Sequence, residues 1–214
     1  PAGLDLVFCC RPDNDLYRVV AACDRPYPRF ADPSEAIDAA SEGAGVLLLA
    51  DGYPQQRTPV PSEVVDAARR KGLRLYVEYP ADVPGLSLRE TAYVATGTYG
   101  SVLERTVVTS DAFRPWLDPL RILVINDCHY LPVEPRPERL HLVLARVAGH
   151  ATARLGLPPQ TAPILFEWPE ARAWVGTTKL SQFVSARYAP VEAWGPVWQA
   201  IIEWLQPGRT APLL

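Results

Sequence analysis

Carboxylates follow several predicted strands, at the points where a ligand site forms in a parallel sheet. Asp51 follows one apolar run, Glu78 the next and Asp127 a third. Because ligands of open parallel sheets bind beyond the carboxyl ends of the strands, we expect these acids to share one edge. Two carboxylates about 5–10 Å apart would suit glycoside hydrolysis. The competing interpretations are that Asp51 and Asp127 cap turns and that Glu78 pairs with an arginine.

Other residues at the predicted strand ends extend this candidate site. The candidate catalytic residues are Glu78, Asp127 and His129, and the candidate ligand-binding residues are Asp51, Tyr53, Tyr79, Cys128, Glu167, Trp168 and Lys179. Trp168, beside Glu167, is a candidate for stacking on a sugar ring, although an aromatic packed at the rim is the simpler interpretation. Cys128 and His129 are neighbours in an extended stretch and point apart, so they cannot form a dyad with each other. A packed thiol is the alternative for Cys128.

Motifs for other chemistries are missing from the sequence. There is no GxSxG or GxCxG nucleophile elbow, and neither GxxxxGK[ST] nor GxGxxG occurs. These absences disfavour nucleotide-dependent chemistry. The three histidines lack HxH or HExxH spacing, and the four cysteines form no CxxC pair. We therefore expect no bound metal and no cofactor.

Composition narrows the class of protein. The 214 residues carry 21 Lys+Arg and 24 Asp+Glu, a net charge of -3, and 48% are hydrophobic. A mildly acidic, globular chain is a poor candidate for binding nucleic acid or an anionic membrane. No apolar run approaches a membrane span, and no signal-peptide pattern opens the printed chain. A cytoplasmic location is expected, and the cysteines are expected to be buried thiols.

The elements that must position these residues alternate between strands and helices in the first half. Continuous apolar runs predict buried strands, and capping residues and a terminal glycine delimit the helices. The predicted order is strand 4–10, helix 32–42, strand 45–51, helix 61–71 and strand 73–78. This order predicts an α/β fold with a mostly parallel central sheet flanked by helices.

The second half is richer in predicted strands. Residues 91–96 and 102–108 are predicted as strands joined by a turn at 97–100. Further predictions are strands 120–127, 140–147, 164–168 and 173–177, and a helix over 190–205. The helix has an apolar stripe that includes Trp194 and Trp198. Together these patterns predict one α/β domain over residues 1–205 with a β-rich insertion in its second half, and a tail over 206–214.

The stretch VLLLADGYPQQRTPVPSEVVDAARRKGLRLYVEYP, residues 46–80, resembles the class I glutamine amidotransferase-like fold. Trehalose-utilisation-type and β-galactosidase-associated relatives are included in this likeness. The resemblance implies a flavodoxin-like sheet with a nucleophile elbow after its third predicted strand. Glu78, Tyr79 and Pro80 stand at that elbow, where the family has a cysteine. The resemblance therefore implies a degenerate domain without amidase activity.

Residues 148–205 are similar to segments of bacterial multidomain proteins that break down carbohydrates. The similar segments include AGHATARLGLP, PILFEW and TTKLSQFVSARYAP. This likeness implies an accessory or ligand-binding role with a carbohydrate ligand, and a glycoside-hydrolase-like partner domain or a homo-oligomer. Two alternatives stay open. One is a glycoside-type hydrolase that uses Glu78 or Asp127, assisted by His129 or Lys179. The other is a protein-docking or oligomerisation module.

Overall fold

A mixed nine-stranded sheet forms the centre of the protein. The computed structural model describes residues 4–23, 27–94, 104–123, 128–183 and 193–208. The helices in these residues are α1 (Asp15–Cys23), α2 (Pro33–Ala39), α3 (Ser62–Arg70) and α4 (Trp194–Leu205). The strands are β1 (Leu6–Cys9), β2 (Arg29–Phe30), β3 (Gly45–Leu48), β4 (Arg74–Glu78), β5 (Ser87–Leu88), β6 (Ala92–Val94), β7 (Glu104–Val108), β8 (Ile122–Leu123), β9 (Cys128–Tyr130), β10 (Val133–Glu134), β11 (Leu140–Arg146), β12 (Ala162–Trp168) and β13 (Ala173–Gly176).

One half of the large sheet is parallel. Strands β2, β1, β3, β4 and β13 lie side by side in this order, and each pair of neighbours is parallel. The predicted strands at 4–10, 45–51 and 73–78 correspond to β1, β3 and β4. The Asp32 carboxylate caps α2 by accepting hydrogen bonds from the backbone N–H groups of Ser34 and Glu35, at 2.8 and 3.2 Å. The α/β fold and the parallel start of the sheet are confirmed.

The other half of the sheet is antiparallel. From β13 the order continues through β12, β11, β7 and β8, and each of these strands runs opposite to its neighbours. The β-rich second half therefore extends the central sheet. Two small antiparallel sheets, β5 with β10 and β6 with β9, lie beside it.

One detail of the predicted second half is wrong. The strands predicted at 91–96 and 102–108 do not pair with each other, since β6 pairs with β9 and β7 pairs with β11 and β8. The predicted turn at 97–100 lies outside the described residues. The strand predicted at 120–127 is described only as β8, an antiparallel strand at the end of the sheet, and residues 124–127 are not described.

The helices cover the two faces of the sheet in pairs. Residues of α1 and α4 pack with Phe8, Leu47 and Tyr76 on one face. Residues of α2 and α3 pack with Val7, Val46 and their neighbours on the other. Successive strand residues point to opposite faces, which places Cys9 and Cys10 in different halves of the core. No disulfide joins the four cysteines, all of which are described.

Helix α4 packs on the sheet, and its last residue lies against the start of β3. Its predicted apolar stripe is buried, and Trp198 and Ile201 are completely inaccessible. A Cβ atom on Gly45 would lie only 2.7 Å from both the Cβ and the carbonyl oxygen of Leu205. The absence of a side chain at Gly45 therefore lets the end of α4 approach the sheet. Among the described residues, the longest helices fall short of the length and apolarity needed to cross a bilayer.

Candidate functional site

Polar residues lie together just beyond the carboxyl ends of the parallel strands, in a region that we call the strand-end rim. It comprises the residues that follow β1, β3, β4 and β13, among them Arg11, Asp51, Tyr79 and Lys179, together with Glu78 at the last position of β4. All four strands run in the same direction, so their carboxyl ends meet in this region. The prediction that Asp51, Glu78 and Lys179 come together there agrees with this geometry.

Glu78 lies at the centre of the rim but is closed to solvent. Its side chain has no accessible surface and accepts four hydrogen bonds. Oε1 accepts from the backbone N–H of Ser181 at 2.8 Å and from the Tyr76 hydroxyl at 3.0 Å. Oε2 accepts from the Ser181 hydroxyl at 2.7 Å and from the backbone N–H of Ala50 at 3.3 Å. Both carboxyl oxygens are therefore fully occupied by groups of the protein itself.

The Glu78 network continues into the first helix. The Ser181 hydroxyl, which donates to Glu78, also accepts a hydrogen bond from the buried Asn14 side chain at 3.2 Å. The side-chain oxygen Oδ1 of Asn14 accepts from the backbone N–H of Tyr17 in the first turn of α1, at 3.2 Å. One chain of hydrogen bonds thus joins the start of α1, the end of β4 and the segment after β13. Because buried polar networks are costly unless every member is satisfied, this chain fixes the relative positions of the three elements.

The electrostatics of Glu78 also favour a structural role. Burial raises the pKa of its carboxyl, while the Ser181 hydrogen bond and the positive charge of Lys179 oppose the rise. A general acid or base must reach its substrate directly or through one water. Since Glu78 has neither an exposed surface nor a spare lone-pair direction, the hydrolase alternative loses one of its two carboxylates. The other, Asp127, lies outside the described residues.

The hydroxyl of Tyr76 offers a direct test of this network. We expect Tyr76→Phe to lower the free energy of unfolding by about 2 kcal/mol, because it removes a buried hydrogen bond to a carboxylate without changing the ring packing. Urea denaturation would measure the change. Tyr130→Phe is the matched control, since Tyr130 is half-buried and its change should stay within about 0.5 kcal/mol. Equal stabilities of the two variants would contradict an energetic role for the hydroxyl.

Asp51 and Lys179 form the more accessible part of the rim. Both side chains are half-buried. The Asp51 carboxylate accepts the backbone N–H of Arg11 at 2.6 Å, which joins the loops after β1 and β3. Burial raises the pKa of Asp51, and the Arg11 N–H and the charge of Lys179 oppose this rise. Asp51 therefore holds the loop after β1 rather than the turn that follows it, and it still presents a charge near the Lys179 ammonium.

Tyr53 joins the rim to strand β9. Its hydroxyl accepts the backbone N–H of His129 at 2.6 Å and lies 3.0 Å from the His129 carbonyl oxygen and 3.3 Å from the Thr178 hydroxyl. Burial raises the pKa of Tyr53 to about 12, so the phenol keeps its proton. The His129 ring contacts Tyr93, with ring centroids 4.8 Å apart. His129 thus reaches the rim by its backbone, although its strand β9 belongs to a separate two-stranded sheet and not to the parallel half.

Tyr79 has an unusual backbone conformation directly after β4. Its φ is 49°, in the left-handed region that residues other than glycine rarely adopt. The side chain is completely buried, its hydroxyl lies 2.6 Å from that of Thr91, and its ring packs edge-on against Tyr53 with centroids 5.0 Å apart. Residues held in such sparsely populated conformations cluster at functional sites. The sequence pattern placed Tyr79 at the rim, but nothing in it indicated this conformation.

Cys128 lies beside the rim in strand β9 and is buried. Because Cys128 and His129 are successive strand residues, their side chains point to opposite sides. Their arrangement agrees with the expectation that they do not form a dyad with each other.

Glu167 and Trp168 lie near the amino-terminal ends of the parallel strands, so the prediction that they share the rim with Glu78 is wrong. Strand β12 is antiparallel to β13, and Trp168 pairs with Ala173 at the start of β13. Trp168 is only 5% exposed, which leaves little ring surface for stacking on a sugar. It lines a cleft of about 480 Å³ together with Arg139 and Glu167. The strand pattern predicted β12 but could not give its direction.

The described residues were searched for side chains that could hold a metal ion. Within the five described ranges, no group of three or more His, Cys, Asp or Glu side chains is arranged to hold a metal ion. The roles of Ser181 and Tyr76, which donate to Glu78, and of Asn14, which donates to Ser181, were not predicted. Ser181 is 103 residues from Glu78 and 167 from Asn14, so no local spacing could have linked them.

Comparison with known proteins finds likeness at the level of the fold. No protein-family model and no curated protein matches the sequence. The fold is similar to the crystal structure of Agd3, described as a novel carbohydrate deacetylase, with a TM-score of 0.59 and 10% sequence identity. The match covers 97% of this chain and 33% of Agd3, so the chain spans about a third of the length of that protein. At this identity the likeness establishes the α/β fold alone.

Proposed function

We propose that the chain is a degenerate, amidase-inactive glutamine amidotransferase-like domain with an accessory, ligand-binding role in carbohydrate metabolism. The observation that carries this proposal is the structure of the turn after β4. A nucleophile elbow holds its nucleophile on a strained turn at the end of a strand. Here Tyr79 supplies such a turn, with φ 49°, but the neighbouring Glu78 is closed off by four hydrogen bonds. The turn therefore has the backbone of an elbow without a reactive group.

The order of the parallel strands supports the flavodoxin-like part of the proposal. Counting only the parallel half, β2-β1-β3-β4-β13 follows the order 2-1-3-4-5 of flavodoxin-like sheets. In such sheets the ligand lies beyond the carboxyl ends of the strands, which is the position of the strand-end rim. The rim offers a half-buried carboxylate at Asp51 and a half-buried ammonium at Lys179. These are groups that hydrogen-bond sugar hydroxyls.

The likeness to Agd3 supports the carbohydrate context. That protein is described as a carbohydrate deacetylase and is about three times as long as the matched region. We infer that the present domain works beside a carbohydrate-acting module, either in the same polypeptide or in a partner. The domain would bind the saccharide at the rim, and the neighbouring module would carry the reaction.

Calorimetry with a panel of neutral, acidic and N-acetylated oligosaccharides tests the proposal. We expect one saccharide class to bind and to raise the melting temperature, because a ligand that binds only the folded state stabilises it. Lys179→Ala should weaken that binding about tenfold, since it removes a charged hydrogen-bond donor from the rim. No release of ammonia from glutamine is expected.

The control is Arg70→Ala, which removes an exposed cation from the last turn of α3. It should leave saccharide binding unchanged. Failure of every saccharide class to bind would overturn the ligand-binding role. Equal losses in Lys179→Ala and Arg70→Ala would move the site away from the rim.

A further inference from the structure

A second cluster of reactive side chains lies at the end of the sheet that faces away from the strand-end rim. Ser110 follows β7, His141 lies near the start of β11, and Glu167 lies near the end of β12. The Ser110 hydroxyl oxygen is 2.8 Å from Nδ1 of His141. Nε2 of the same ring is 3.2 Å from Oε1 of Glu167. A hydroxyl, an imidazole and a carboxylate thus stand in line, in the order of a serine hydrolase triad.

The imidazole is held firmly in this position. His141 is 4% exposed, and its ring packs against Trp174 with centroids 4.1 Å apart and against Phe113 at 6.1 Å. Burial lowers the pKa of His141 to about 4, against the opposing charge of Glu167. The ring is therefore neutral at pH 7. With Glu167 facing Nε2, the proton belongs on Nε2, and Nδ1 is left to accept the proton of Ser110.

The two flanking residues have the properties that the outer members of such a triad need. Ser110 is partly exposed, and its oxygen accepts the backbone N–H of Ala112 at 3.3 Å, which fixes its orientation. Glu167 is oriented by Arg139, whose Nη1 lies 3.1 Å from Oε2. The contact between His141 and Glu167 is close but poorly aligned. Catalytic hydrogen bonds of free enzymes are often so and tighten when substrate binds.

We propose that Ser110, His141 and Glu167 form an acyl-transfer site that hydrolyses acyl esters. Ser110 is the nucleophile, His141 the general base and Glu167 the residue that positions His141. The proposal goes beyond ligand binding at the strand-end rim and does not depend on it, because the two sites lie at opposite ends of the sheet and share no residue.

The reaction balances with water as the only co-reactant. The Ser110 oxygen bonds to the acyl carbon while its proton moves to Nδ1 of His141. The acyl–oxygen bond to the alcohol then breaks, and the alcohol leaves with that proton. Water next adds to the acyl carbon and passes a proton to His141, which returns it to Ser110 as the acid is released. During both additions the imidazole is positively charged, and the adjacent Glu167 carboxylate stabilises that charge.

Hydrolysis of p-nitrophenyl acetate by the purified chain tests the site. We expect Ser110→Ala to lower the rate at least about a hundredfold, the usual contribution of an activated nucleophile and its base. A fluorophosphonate probe should label the wild-type chain at the peptide containing Ser110 and should not label Ser110→Ala. The matched control is Ser62→Ala, which removes an exposed hydroxyl at the start of α3 and should change neither result. Equal ester hydrolysis by wild type and Ser110→Ala, or labelling only elsewhere, would overturn the proposal.

The positioning role of Glu167 is tested by a measurement whose result a purely structural role would not change. Its charge raises the pKa of His141, so Glu167→Gln should move the acid limb of the pH–rate profile to lower pH as well as reduce the rate. A reduced rate with an unmoved acid limb would contradict its positioning role. Should Glu167→Gln or a His141 variant fail to fold, the comparison of Ser110→Ala with Ser62→Ala still decides the assignment of the nucleophile.

Discussion

Glu78→Gln is expected to lower the free energy of unfolding by about 3 kcal/mol. Each carboxyl oxygen of Glu78 accepts one backbone N–H, from Ser181 on Oε1 and from Ala50 on Oε2. Glutamine has one oxygen and one NH2 group. Whichever way the amide is turned, its NH2 group therefore faces a backbone N–H that cannot rotate away. Removing the negative charge relieves the desolvation that raises the pKa of Glu78, but it leaves a buried donor unpaired and weakens the other bonds.

Chemical denaturation of Glu78→Gln beside Glu170→Gln would measure this effect. Glu170 is exposed in the turn after β12, so its variant should change stability by no more than about 0.5 kcal/mol. If Glu78→Gln matched the wild type in stability, the desolvation of the charge would outweigh the four hydrogen bonds. The charge of Glu78 would then make no net contribution to stability.

The sequence predicted the parallel half of the fold because its signals there are local. Apolar runs at β1, β3 and β4 are short and continuous, and Asp32 and Gly72 mark helix ends where the structure has them. The segment between β1 and α2 gave no prediction, although it forms α1 and the edge strand β2. Strand β2 has only two residues, too few for any periodicity, and α1 has only two buried residues, Leu16 and Val20.

The candidate site was predicted where strand direction followed from the βαβ pattern. Asp51, Glu78 and Tyr79 reach the same edge because β3 and β4 are parallel. Glu167 was assigned to that edge by the same rule, which fails for β12 because an apolar run carries no information about direction. Because β12 runs antiparallel to β13, Glu167 lies away from the rim and close to His141, which the sequence showed only as a histidine inside a predicted strand.

The burial of Glu78 and the four hydrogen bonds that its carboxylate accepts could not be predicted either. Its partners come from the backbone of Ala50, the neighbouring strand residue Tyr76 and the distant Ser181. Only Tyr76 has a spacing from Glu78 that a strand pattern contains, since alternate residues share a face. A carboxylate at a strand end is therefore an ambiguous signal. Whether it catalyses or holds the fold together depends on donors contributed by remote parts of the chain.

The second large expected effect is a loss of stability in acid that depends on His141. Burial lowers the pKa of His141 from 6.5 to about 4. Between these values the unfolded chain takes up a proton at this residue and the folded chain does not, so stability falls as pH falls. The contribution is fully present above pH 6.5. Its loss by pH 4 amounts to about 3 kcal/mol, because each unit of difference in pKa corresponds to about 1.4 kcal/mol.

Urea unfolding of wild type and His141→Gln at pH 7 and pH 4 isolates this effect from that of the carboxyl groups. His141→Gln loses packing against Trp174 and is expected to be less stable at pH 7, but it has no proton to take up, so its stability should fall less on acidification. The difference between the two proteins should therefore shrink by about 3 kcal/mol. His150→Gln is the control, since His150 is exposed and its removal should leave the pH dependence unchanged. Parallel pH profiles for wild type and His141→Gln would mean that the folded and unfolded chains take up this proton over the same pH range, and would contradict a pKa of His141 lowered by burial.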